Sequence, residues 1–561
     1  MDSIPDRSGL STGRIITTLR SQITGELLES LNAKNWVIYD VVATYLYDSS
    51  RYADLMPVFN VEYTADKYVV TDVDRSKSIK VTRWEAGILD ANGANATSTE
   101  YPNAMRSDFI PIRAARYTFN IDYCQVYWYD ENKALVANSG VYGTNSGIQN
   151  GSVCEAPTRA RYVRIYRAVG KTDCSINCQL TERTIESVNG DLPTMMRFGT
   201  SSWDVVNEDR STSLVEIYSL NVAEIISAQF MFCNCYNLEK VSSMIITNKT
   251  TSLNCIFFAC NNLTRIYNIN DWDVSNVTDM GGVFQNCYNL TSIELNNWNA
   301  DKVTATSFMF CNCQSITSLD LSGINTSKVT TMARMFQKCF KLTSVNVSNW
   351  DTGKVTNMSF MFNKCGKLTS LNLSNWNTSN VTKMNSLFDE CYTLRELKLS
   401  NWDTDNVDDM SYMFNDCDFI SLDVSSFDTS KVTNMSCIFN NCDILTSINL
   451  SNWYINEATN IDYMFGGSTT NLNEVTMNDS NYTSINKVIE QLPQRTNDNV
   501  GLLLVTNVDD YSQINKTAAR TKYWYVWEND YKVAEYKFDN TLYDLIPEFS
   551  EGFEYTYEDV V

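Results

Sequence analysis

A unit of 26 residues recurs along the chain from about Thr200 to Asp479. Two of the clearest copies read KLTSVNVSNWDTGKVTNMSFMFNKC and KLTSLNLSNWNTSNVTKMNSLFDEC. One phenylalanine in each copy fixes the period of 26 residues, at Phe284, Phe310, Phe336, Phe362, Phe388 and Phe414. Phe439 follows after 25 residues and Phe465 after a further 26. Because one such unit cannot bury an apolar face alone, the repeat predicts a solenoid of stacked units.

Each repeat divides into two halves with different apolar patterns. Leu371 and Leu373 alternate with polar residues, which is typical of a strand. In the other half, the apolar residues have helical or 3₁₀ spacing, at Val355, Met358, Met361 and Phe362. We therefore expect a parallel sheet on one side and short helical turns on the other. With strands ~4.8 Å apart, about ten rungs give a sheet roughly 50 Å long.

The pattern L-x-x-L-x-L followed by F-x-x-C resembles that of leucine-rich repeats. More narrowly, W-D-T-x-x-V-T-x-M-x-x-M-F resembles the BspA-like surface-protein repeat of bacteria and their phages. The resemblance covers about half of the chain and implies a solenoid, a fold that serves many different partners and rarely catalyses. The expected fold class is a multidomain, mainly β chain, with a leucine-rich-repeat-like solenoid flanked by small β-modules and a β-sandwich.

Composition narrows the functions that are open to the chain. Its 44 basic and 66 acidic residues give a net charge of −22, which argues against binding to nucleic acid or anionic lipid. It has no histidine, which excludes Ser-His-Asp and Cys-His catalysis and histidine-ligated zinc. We expect no cofactor and no metal. No secretion signal and no apolar run of ~18 residues is visible, so we expect no membrane insertion.

The chain has 17 cysteines, of which nine share one repeat position, at Cys235, Cys260, Cys287, Cys313, Cys339, Cys365, Cys391, Cys417 and Cys442. Ser468 takes that position in the last unit. Stacked neighbours would lie within the Cα range of a disulfide, about 4.4–6.8 Å, so pairing is an alternative. The odd number and the missing secretion signal favour reduced thiols that form a ladder in the core.

Segments outside the repeats predict further modules. Residues 1–37 form a leader in which Ile16, Leu19, Ile23, Leu27 and Leu31 mark one face of a helix, either docked on its own protein or used for oligomerisation or attachment. Residues 38–84 read as a small β-module. Residues 531–561 contain a second, partial copy of it, because VATYLYD at 42–48 matches VAEYKFD at 533–539. Either the chain is cut from a longer protein or a partner chain completes the copy.

Residues 85–183 predict a β-sandwich that resembles a jelly-roll module of carbohydrate-binding type found in phage tail proteins. Its Trp128 and Tyr162 would stack on a sugar, or else pack inside the sandwich. The solenoid takes residues 184–479, with 184–230 covering its first rung. Residues 480–530 predict a C-terminal cap with a helix that ends near Pro493.

One row of residues is expected to point outward from the middle of the solenoid strands. This row is flat and polar, and it comprises Glu294, Asp320, Asn346, Asn372, Lys398, Asp423 and Asn449. It suits hydrogen bonding to an extended polar ligand such as a glycan or to another protein, although a solvated face without a ligand would look the same. The tryptophans that recur beside it are interpreted as core.

These patterns favour a non-enzymatic phage virion protein of the tail, baseplate or fibre. It would be assembled in the host cytoplasm, contact other virion proteins, form a homo-oligomer such as a trimer, and bind a host-surface glycan or protein. One alternative is a bacterial cell-surface adhesin of the BspA-like class. Another is a tail-associated polysaccharide depolymerase, which would need two carboxyl groups roughly 5–9.5 Å apart in a cleft.

Overall fold

In the computed structural model the chain is mainly β, with little helix. The residues that the structure describes are 13–16, 36–39, 41–49, 56–59, 68–97, 99, 101–112, 116–120, 124–130, 133–138, 152–155, 160, 162–167, 174–187, 195–199, 213–456, 459–467, 471–478, 481–496 and 499–528. Within these ranges a long solenoid is accompanied by smaller sheets, which confirms the predicted fold class.

The strands before the repeats are β1 (Gly13–Ile16), β2 (Trp36–Tyr39), β3 (Val41–Tyr47), β4 (Val58–Phe59), β5 (Tyr68–Asp74), β6 (Lys77–Lys80), β7 (Trp84–Ala86), β8 (Ile88–Leu89), β9 (Asn95–Ala96), β10 (Met105–Ser107), β11 (Ile110–Pro111), β12 (Arg116–Asn120), β13 (Cys124–Tyr129), β14 (Leu135–Asn138), β15 (Ser152–Glu155), β16 (Tyr162–Arg167), β17 (Ser175–Cys178), β18 (Thr181–Ser187) and β19 (Met196–Arg197).

The remaining strands are β20 (Leu214–Asn221), β21 (Lys240–Val241), β22 (Met244–Ile245), β23 (Arg265–Ile266), β24 (Ser318–Asp320), β25 (Ser344–Asn346), β26 (Ser370–Asn372), β27 (Glu396–Lys398), β28 (Ser447–Asn449), β29 (Glu474–Asn478), β30 (Gly501–Thr506) and β31 (Trp524–Glu528). The α-helices are α1 (Tyr482–Gln491) and α2 (Lys516–Thr521), and Ile269–Asp271 and Tyr511–Gln513 form 3₁₀ turns. Within the described ranges, no helix combines the length and apolarity that a bilayer span requires.

Two antiparallel sheets form a β-sandwich before the repeats. One has the order β14-β13-β16-β10-β7, with β11 also on β16, and the other has the order β15-β12-β17-β6. Side chains of both sheets meet in one apolar core, for example Phe119, Trp128 and Ile176. Because β6 and β7 belong to it, the sandwich begins at Lys77, earlier than the predicted residue 85.

A third sheet joins the N-terminal part to the solenoid, in the order β23-β21-β20-β3-β18-β5. β20 is the first solenoid strand, since it runs parallel to β21, and β3 lies antiparallel on its other side. The predicted module 38–84 is therefore divided, with β3 and β5 in this sheet and β6 in the sandwich. The strand that covers the first rung is β3, and not a strand of the predicted segment 184–230.

The strand half of the repeat is as predicted. β26 runs parallel to β27, with Leu371 opposite Leu397. The middle residue of each short strand points into the core, whereas its two neighbours are exposed. The same pattern recurs in β24 and β28.

The other half differs from the predicted helical turn. Rungs are joined there by parallel bridges at one repeat position, which runs through Ser227, Ser252, Asp279, Ala305, Thr331, Asn357, Lys383, Asp409, Asn434 and Asn460. After each bridge the backbone alternates: Phe360 N–H donates to Asn385 O of the next rung at 3.0 Å, and Met361 N–H donates to Met358 O of its own rung at 3.2 Å. The chain makes consecutive turns because every second N–H finds its acceptor on the neighbouring rung.

Stacked aromatic side chains fill the core of the solenoid. The repeat phenylalanines lie face to face, as in Phe310 and Phe336, whose ring centroids are 5.9 Å apart. A parallel column of tryptophans is buried, which confirms that they are core. Trp350 donates its Nε1–H to Leu321 O of the preceding rung at 3.0 Å, and Trp402 donates to Leu373 O at 3.1 Å.

The nine cysteines that share one repeat position are all buried in the solenoid core, which confirms the predicted position of the ladder. All 17 cysteines lie in the described part of the chain, and no disulfide joins any of them. The ladder thiols also donate hydrogen bonds, which the sequence did not indicate. Cys365 Sγ lies 3.2 Å from Phe336 O, and Cys391 Sγ lies 3.2 Å from Phe362 O. Each thiol therefore links its rung to the preceding one.

The structure differs from the predictions near both ends of the chain. β1 pairs in parallel with β2, so Ile16 ends a strand and does not begin a helix. The other residues of the predicted helical face, and the copy at 531–561, lie outside the described residues. α1 ends at Gln491, near Pro493 as predicted. β29, β30 and β31 extend the parallel sheet beyond β28, so the solenoid continues as far as β31.

Candidate binding surface

The structure places the predicted outward row on the exposed side of the solenoid sheet. Its seven members are all exposed, namely Glu294, Asp320, Asn346, Asn372, Lys398, Asp423 and Asn449. Among those that lie within assigned strands, each is the last residue of its strand. The row therefore has the geometry that the sequence predicted.

Most of these side chains also shape the backbone. Asn372 Oδ1 accepts the N–H of Ser374 at 3.1 Å, and Asp423 Oδ1 accepts that of Ser425 at 3.1 Å. Such bonds from a side chain to the backbone two residues later form Asx turns, which start the bend after each strand. The Ser322 hydroxyl and N–H hold the pKa of Asp320 below its usual range. The polar character of the outward row is thus explained by turn formation, and its composition alone does not identify a ligand site.

The two predicted sugar-stacking residues of the sandwich, Trp128 and Tyr162, differ in their exposure. Trp128 is 4% exposed and packs edge-on against Phe119, at 6.2 Å between ring centroids. Its indole is therefore core and is not available to a sugar, so the prediction that it binds one is wrong. Tyr162 is half-buried beside Phe109, with the Lys133 ammonium 5.9 Å from its ring centroid.

A surface feature that the sequence reasoning missed lies in the turn half of the repeat. At one repeat position the side chain is aromatic in every second rung, at Phe308, Phe360, Tyr412 and Tyr463. We call these four residues the aromatic column. In other rungs the position is occupied by Phe230, Cys255, Gly282, Arg334, Ser386 and Cys437. Phe230, three rungs before Phe308, is out of phase with the alternation.

The backbone at this position does not favour aromatic residues. Phe360 has φ 60° and Tyr412 has φ 58°, because each is the third residue of a turn that needs positive φ. An L-residue other than Gly pays roughly 1–2 kcal/mol in this conformation. Only Gly282 uses the residue that suits the backbone best. An aromatic side chain at such a position therefore calls for a reason beyond local conformation.

The aromatic column is accessible from solvent. Tyr463 is 69% exposed and Tyr412 is 43% exposed, while Phe308 and Phe360 are half-buried. The Arg334 guanidinium lies between the two phenylalanines, 4.1 Å from the Phe360 ring centroid and 5.7 Å from that of Phe308. The guanidinium thus covers one face of each phenylalanine in a cation–π contact, so Tyr412 and Tyr463 are the members with the most accessible rings.

A polar row runs beside the aromatic column, four residues later in each repeat. It comprises Asn286, Asn312, Lys338, Lys364, Glu390, Asp416 and Asn441, which also have positive φ. Asn312 Nδ2 donates to Asn286 Oδ1 at 2.9 Å, and Lys364 Nζ lies 2.7 Å from Glu390 Oε1. Aromatic faces and hydrogen-bonding groups therefore lie side by side on one rigid surface.

The spacing of the aromatic column follows from the rung spacing. Two rungs correspond to roughly 10 Å, because neighbouring strands lie ~4.8 Å apart. Rings repeated at this interval offer successive stacking platforms to a long ligand with a repeat of similar length, such as the disaccharide unit of an extended polysaccharide.

Among the described residues, no group of three or more cysteine or carboxylate side chains has the geometry of a metal site.

Beneath the polar row lies a chain of mostly buried amides. Gln337 Nε2 donates to Asn363 Oδ1 at 2.8 Å, and Asn440 Nδ2 donates to Asn415 Oδ1 at 2.6 Å. Both series end on the carboxylate of Asp389. Burial raises the pKa of Asp389 to about 6, an effect to which the nearby charges of Glu390 and Asp416 add. This ladder ties the rungs together under the candidate surface.

One sequence signal would have revealed the aromatic column. The repeat has a period of 26 residues, but the exposed aromatics recur at about twice that distance. Aligning the copies on their core phenylalanines shows what is common to every repeat and hides a feature that alternates between repeats.

The chain matches the family described as Mycoplasma protein of unknown function, DUF285, over residues 203–322, 309–396, 363–479 and 391–502. These matches merge into residues 203–502, which is more than half of the chain. Comparison with curated proteins found no match. The repeat and the β-solenoid together fit a BspA-like surface repeat protein. The chain belongs to the DUF285 family.

Proposed function

We propose that the protein is a non-enzymatic adhesive protein that binds an extended glycan on a host surface. The observation that carries this proposal is the aromatic column, whose residues alternate from rung to rung along a rigid solenoid. Exposed aromatic rings present an apolar face to a sugar ring, while the polar row beside them supplies hydrogen-bonding groups. Several weak contacts on one rigid surface add up to useful affinity, because a ligand held at one platform is already close to the next.

The experiment is a binding titration with a panel of long polysaccharides from bacterial surfaces. We expect Tyr412→Ala combined with Tyr463→Ala to weaken the binding found for the natural chain. Tyr454→Ala is the matched control, because Tyr454 is 44% exposed but lies at another repeat position. Equal losses in the control and the double variant would contradict the proposal, as would unchanged binding in both.

We place this adhesive protein in a phage particle, as part of the tail, baseplate or fibre. The resemblance of the sandwich and of the duplicated strand module to phage tail proteins supports this setting. A bacterial cell-surface adhesin fits the DUF285 repeat about as well. Antibody labelling separates the two: a particle component is found on purified phage tails, whereas a cell-surface adhesin is found on uninfected bacteria.

A homo-oligomer, such as a trimer, would multiply the number of glycan contacts per particle. Light scattering of the full chain tests this, and a monomer at micromolar concentration would contradict it.

Polysaccharide that binds the protein should keep its molecular mass during prolonged incubation, since the proposed function involves no cleavage. A fall in that mass would instead favour the depolymerase.

A further inference from the structure

We propose that two molecules of this protein associate face to face through the aromatic column and the polar row, with their solenoids antiparallel. The two-fold axis would lie between the rung of Phe362 and the rung of Phe388. The occupant of this surface is thus a second copy of the same chain. The proposal goes beyond glycan binding, because it concerns what covers the surface when no glycan is bound.

The solenoid changes the sign of its charge at this axis. Residues 321–388 contain eight basic side chains and one acidic side chain, whereas residues 389–443 contain twelve acidic and three basic ones. The net charge of the whole chain is −22, so the basic part is an exception. When two solenoids lie antiparallel, the basic part of each molecule faces the acidic part of the other, and the two attract.

The polar row repeats this change of sign residue by residue. In a two-fold interface the same patch of both molecules meets, so that each contact occurs twice. An axis midway between Lys364 and Glu390 places Lys364 opposite Glu390 of the second molecule. One rung further out, Lys338 lies opposite Asp416 of the second molecule. Every charged member of the polar row therefore meets a charge of the opposite sign.

Within one molecule, the polar row brings like charges together. Lys338 and Lys364 occupy the same position in neighbouring rungs, which lie ~4.8 Å apart, and Glu390 and Asp416 are neighbours in the same way. Side chains of like charge repel each other at such a distance. Lys364 and Glu390 form one favourable ion pair, of 2.7 Å, at the boundary. A second molecule would bring an opposite charge to all four side chains and so reduce the repulsion.

The aromatic column fits the same axis by its shape. Its rings occur in every second rung, and the axis relates each rung that has a ring to one that has none. Phe360 would thus lie over Ser386 of the second molecule, which is 5% exposed and leaves a gap between two rings. Tyr412 would lie over Arg334, whose guanidinium already stacks on phenylalanine rings.

Another exposed ring lies close to the proposed axis. Tyr392 is 48% exposed, and its hydroxyl donates to Glu390 Oε2 at 2.5 Å. The ring reaches back towards the preceding rung, because a β-carbon added at Gly366 would lie 3.3 Å from Tyr392 Cδ2. Next to a two-fold axis this side chain would meet Tyr392 of the second molecule, and two such rings can stack.

A glycan and a second molecule would exclude each other, since both would use the aromatic column. The two proposals nevertheless fail separately. A protein that binds polysaccharide but never associates through this surface contradicts the dimer alone. A dimer that binds none of the polysaccharides contradicts the proposed function alone.

Reversing charges in the polar row tests the dimer. Lys338→Glu would place a carboxylate against Asp416 of the second molecule, and Asp416→Lys would place two lysines against each other. Each variant alone should raise the dissociation constant of the dimer about tenfold or more in analytical ultracentrifugation. The polar row already contains lysine, glutamate and aspartate at positive φ, so its backbone accepts both substitutions.

An equimolar mixture of the two variants is the decisive sample. In a dimer of one Lys338→Glu molecule and one Asp416→Lys molecule, residues 338 and 416 again carry opposite charges at both contacts. The mixture should therefore associate about as tightly as the natural chain, which also shows that both variants are folded. A mixture that associates no better than its separate components would overturn the proposal.

Lys328→Glu is the matched control, because Lys328 is exposed in the same rung as Lys338 but at another repeat position. It should leave the dissociation constant of the dimer unchanged. Raising the ionic strength from about 0.1 M to about 1 M should weaken the association of the natural chain, since it shortens the Debye length from ~10 Å to ~3 Å. A natural chain that stays monomeric at micromolar concentration, or an equal loss in Lys328→Glu, would contradict the dimer.

Discussion

The side-chain amide of Asn363 donates a hydrogen bond of 2.9 Å to Oδ2 of Asp389. From the next rung, Asn415 Nδ2 donates to Oδ1 of the same carboxylate at 2.7 Å. Hydrogen-bond donors therefore converge on Asp389 from both directions along the solenoid. A single carboxylate can accept from both neighbours, whereas an amide at this position would have to donate to one of them.

This arrangement predicts how Asp389→Asn changes stability with pH. The folded pKa of Asp389 is raised to about 6 from 3.8, mainly by burial. Between these values the folded chain holds more protons at this residue than the unfolded chain, so its contribution to the free energy of unfolding falls as pH rises. The Asp389→Asn side chain does not titrate, so the variant does not lose unfolding free energy in this way. Its amide group needs an acceptor, which Asn415 Oδ1 supplies when the amides of Asn415 and Asn440 rotate so that each donates to the next.

Denaturant unfolding at pH 4 and pH 7.5 measures this effect. The stability of Asp389→Asn relative to the natural chain should increase with pH across this window, by about 1–2 kcal/mol after allowance for partial exposure. Asp462→Asn serves as the control, because Asp462 is exposed. A relative stability that stays constant, or that falls with rising pH, would show that the carboxylate is not held in a desolvated position.

Two tryptophans of the core column should respond differently to the same substitution. Trp402 Nε1 donates to Leu373 O, whereas Trp376 Nε1 is buried without a hydrogen-bond partner. Phe427 occupies the same repeat position, so a phenylalanine fits this column. Trp402→Phe should therefore cost about 1 kcal/mol more than Trp376→Phe, since only the former breaks a hydrogen bond. Equal losses of unfolding free energy would contradict this difference.

The ladder thiols should resist chemical modification while the chain is folded. Burial raises the pKa of Cys365 well above its usual range and removes it from solvent, so little thiolate forms at pH 8. Cys255, which is half-buried and whose pKa is raised to about 11, should react sooner. Mass spectrometry after brief alkylation locates the modified residues. Rapid alkylation of Cys365 in the folded chain would indicate that the ladder is open to solvent.

The sequence predicted the strand half of the repeat because its pattern has one interpretation. Leu371 and Leu373 alternate with exposed residues, and only a strand places them on one face. Met358, Met361 and Phe362 are compatible with a helical turn as well as with the observed turns. The observed turns form, and not a helical turn, because the backbone hydrogen-bonds between rungs, for example from Phe360 N–H to Asn385 O. The sequence of a single repeat does not indicate such bonds.

The candidate surface was hidden for a related reason. Asn372 and Ser374 have the spacing of an Asx turn, so the structural role of the outward row was open to prediction from local sequence. The aromatic column alternates between repeats, and the consensus therefore does not contain it. The pairing of β3 with β20 joins segments that are far apart in sequence, and no local pattern indicates such a contact.

The proposed glycan contacts depend on the interval between the rings and not only on their number. Ser386 precedes Tyr412 by one rung and also has positive φ, so the backbone at both positions accepts the same residues. Exchanging the two side chains, in Ser386→Tyr combined with Tyr412→Ser, keeps the composition and breaks the two-rung interval. Circular dichroism checks that the fold is unchanged.

The most direct test is the affinity of this exchange variant for a polysaccharide that binds the natural chain. If the alternating rings form the binding surface, the affinity should fall by about tenfold, which corresponds to about 1.4 kcal/mol and lies within the range for one base–aromatic stacking contact in other proteins. An unchanged affinity in a correctly folded exchange variant would contradict the role proposed for the aromatic column.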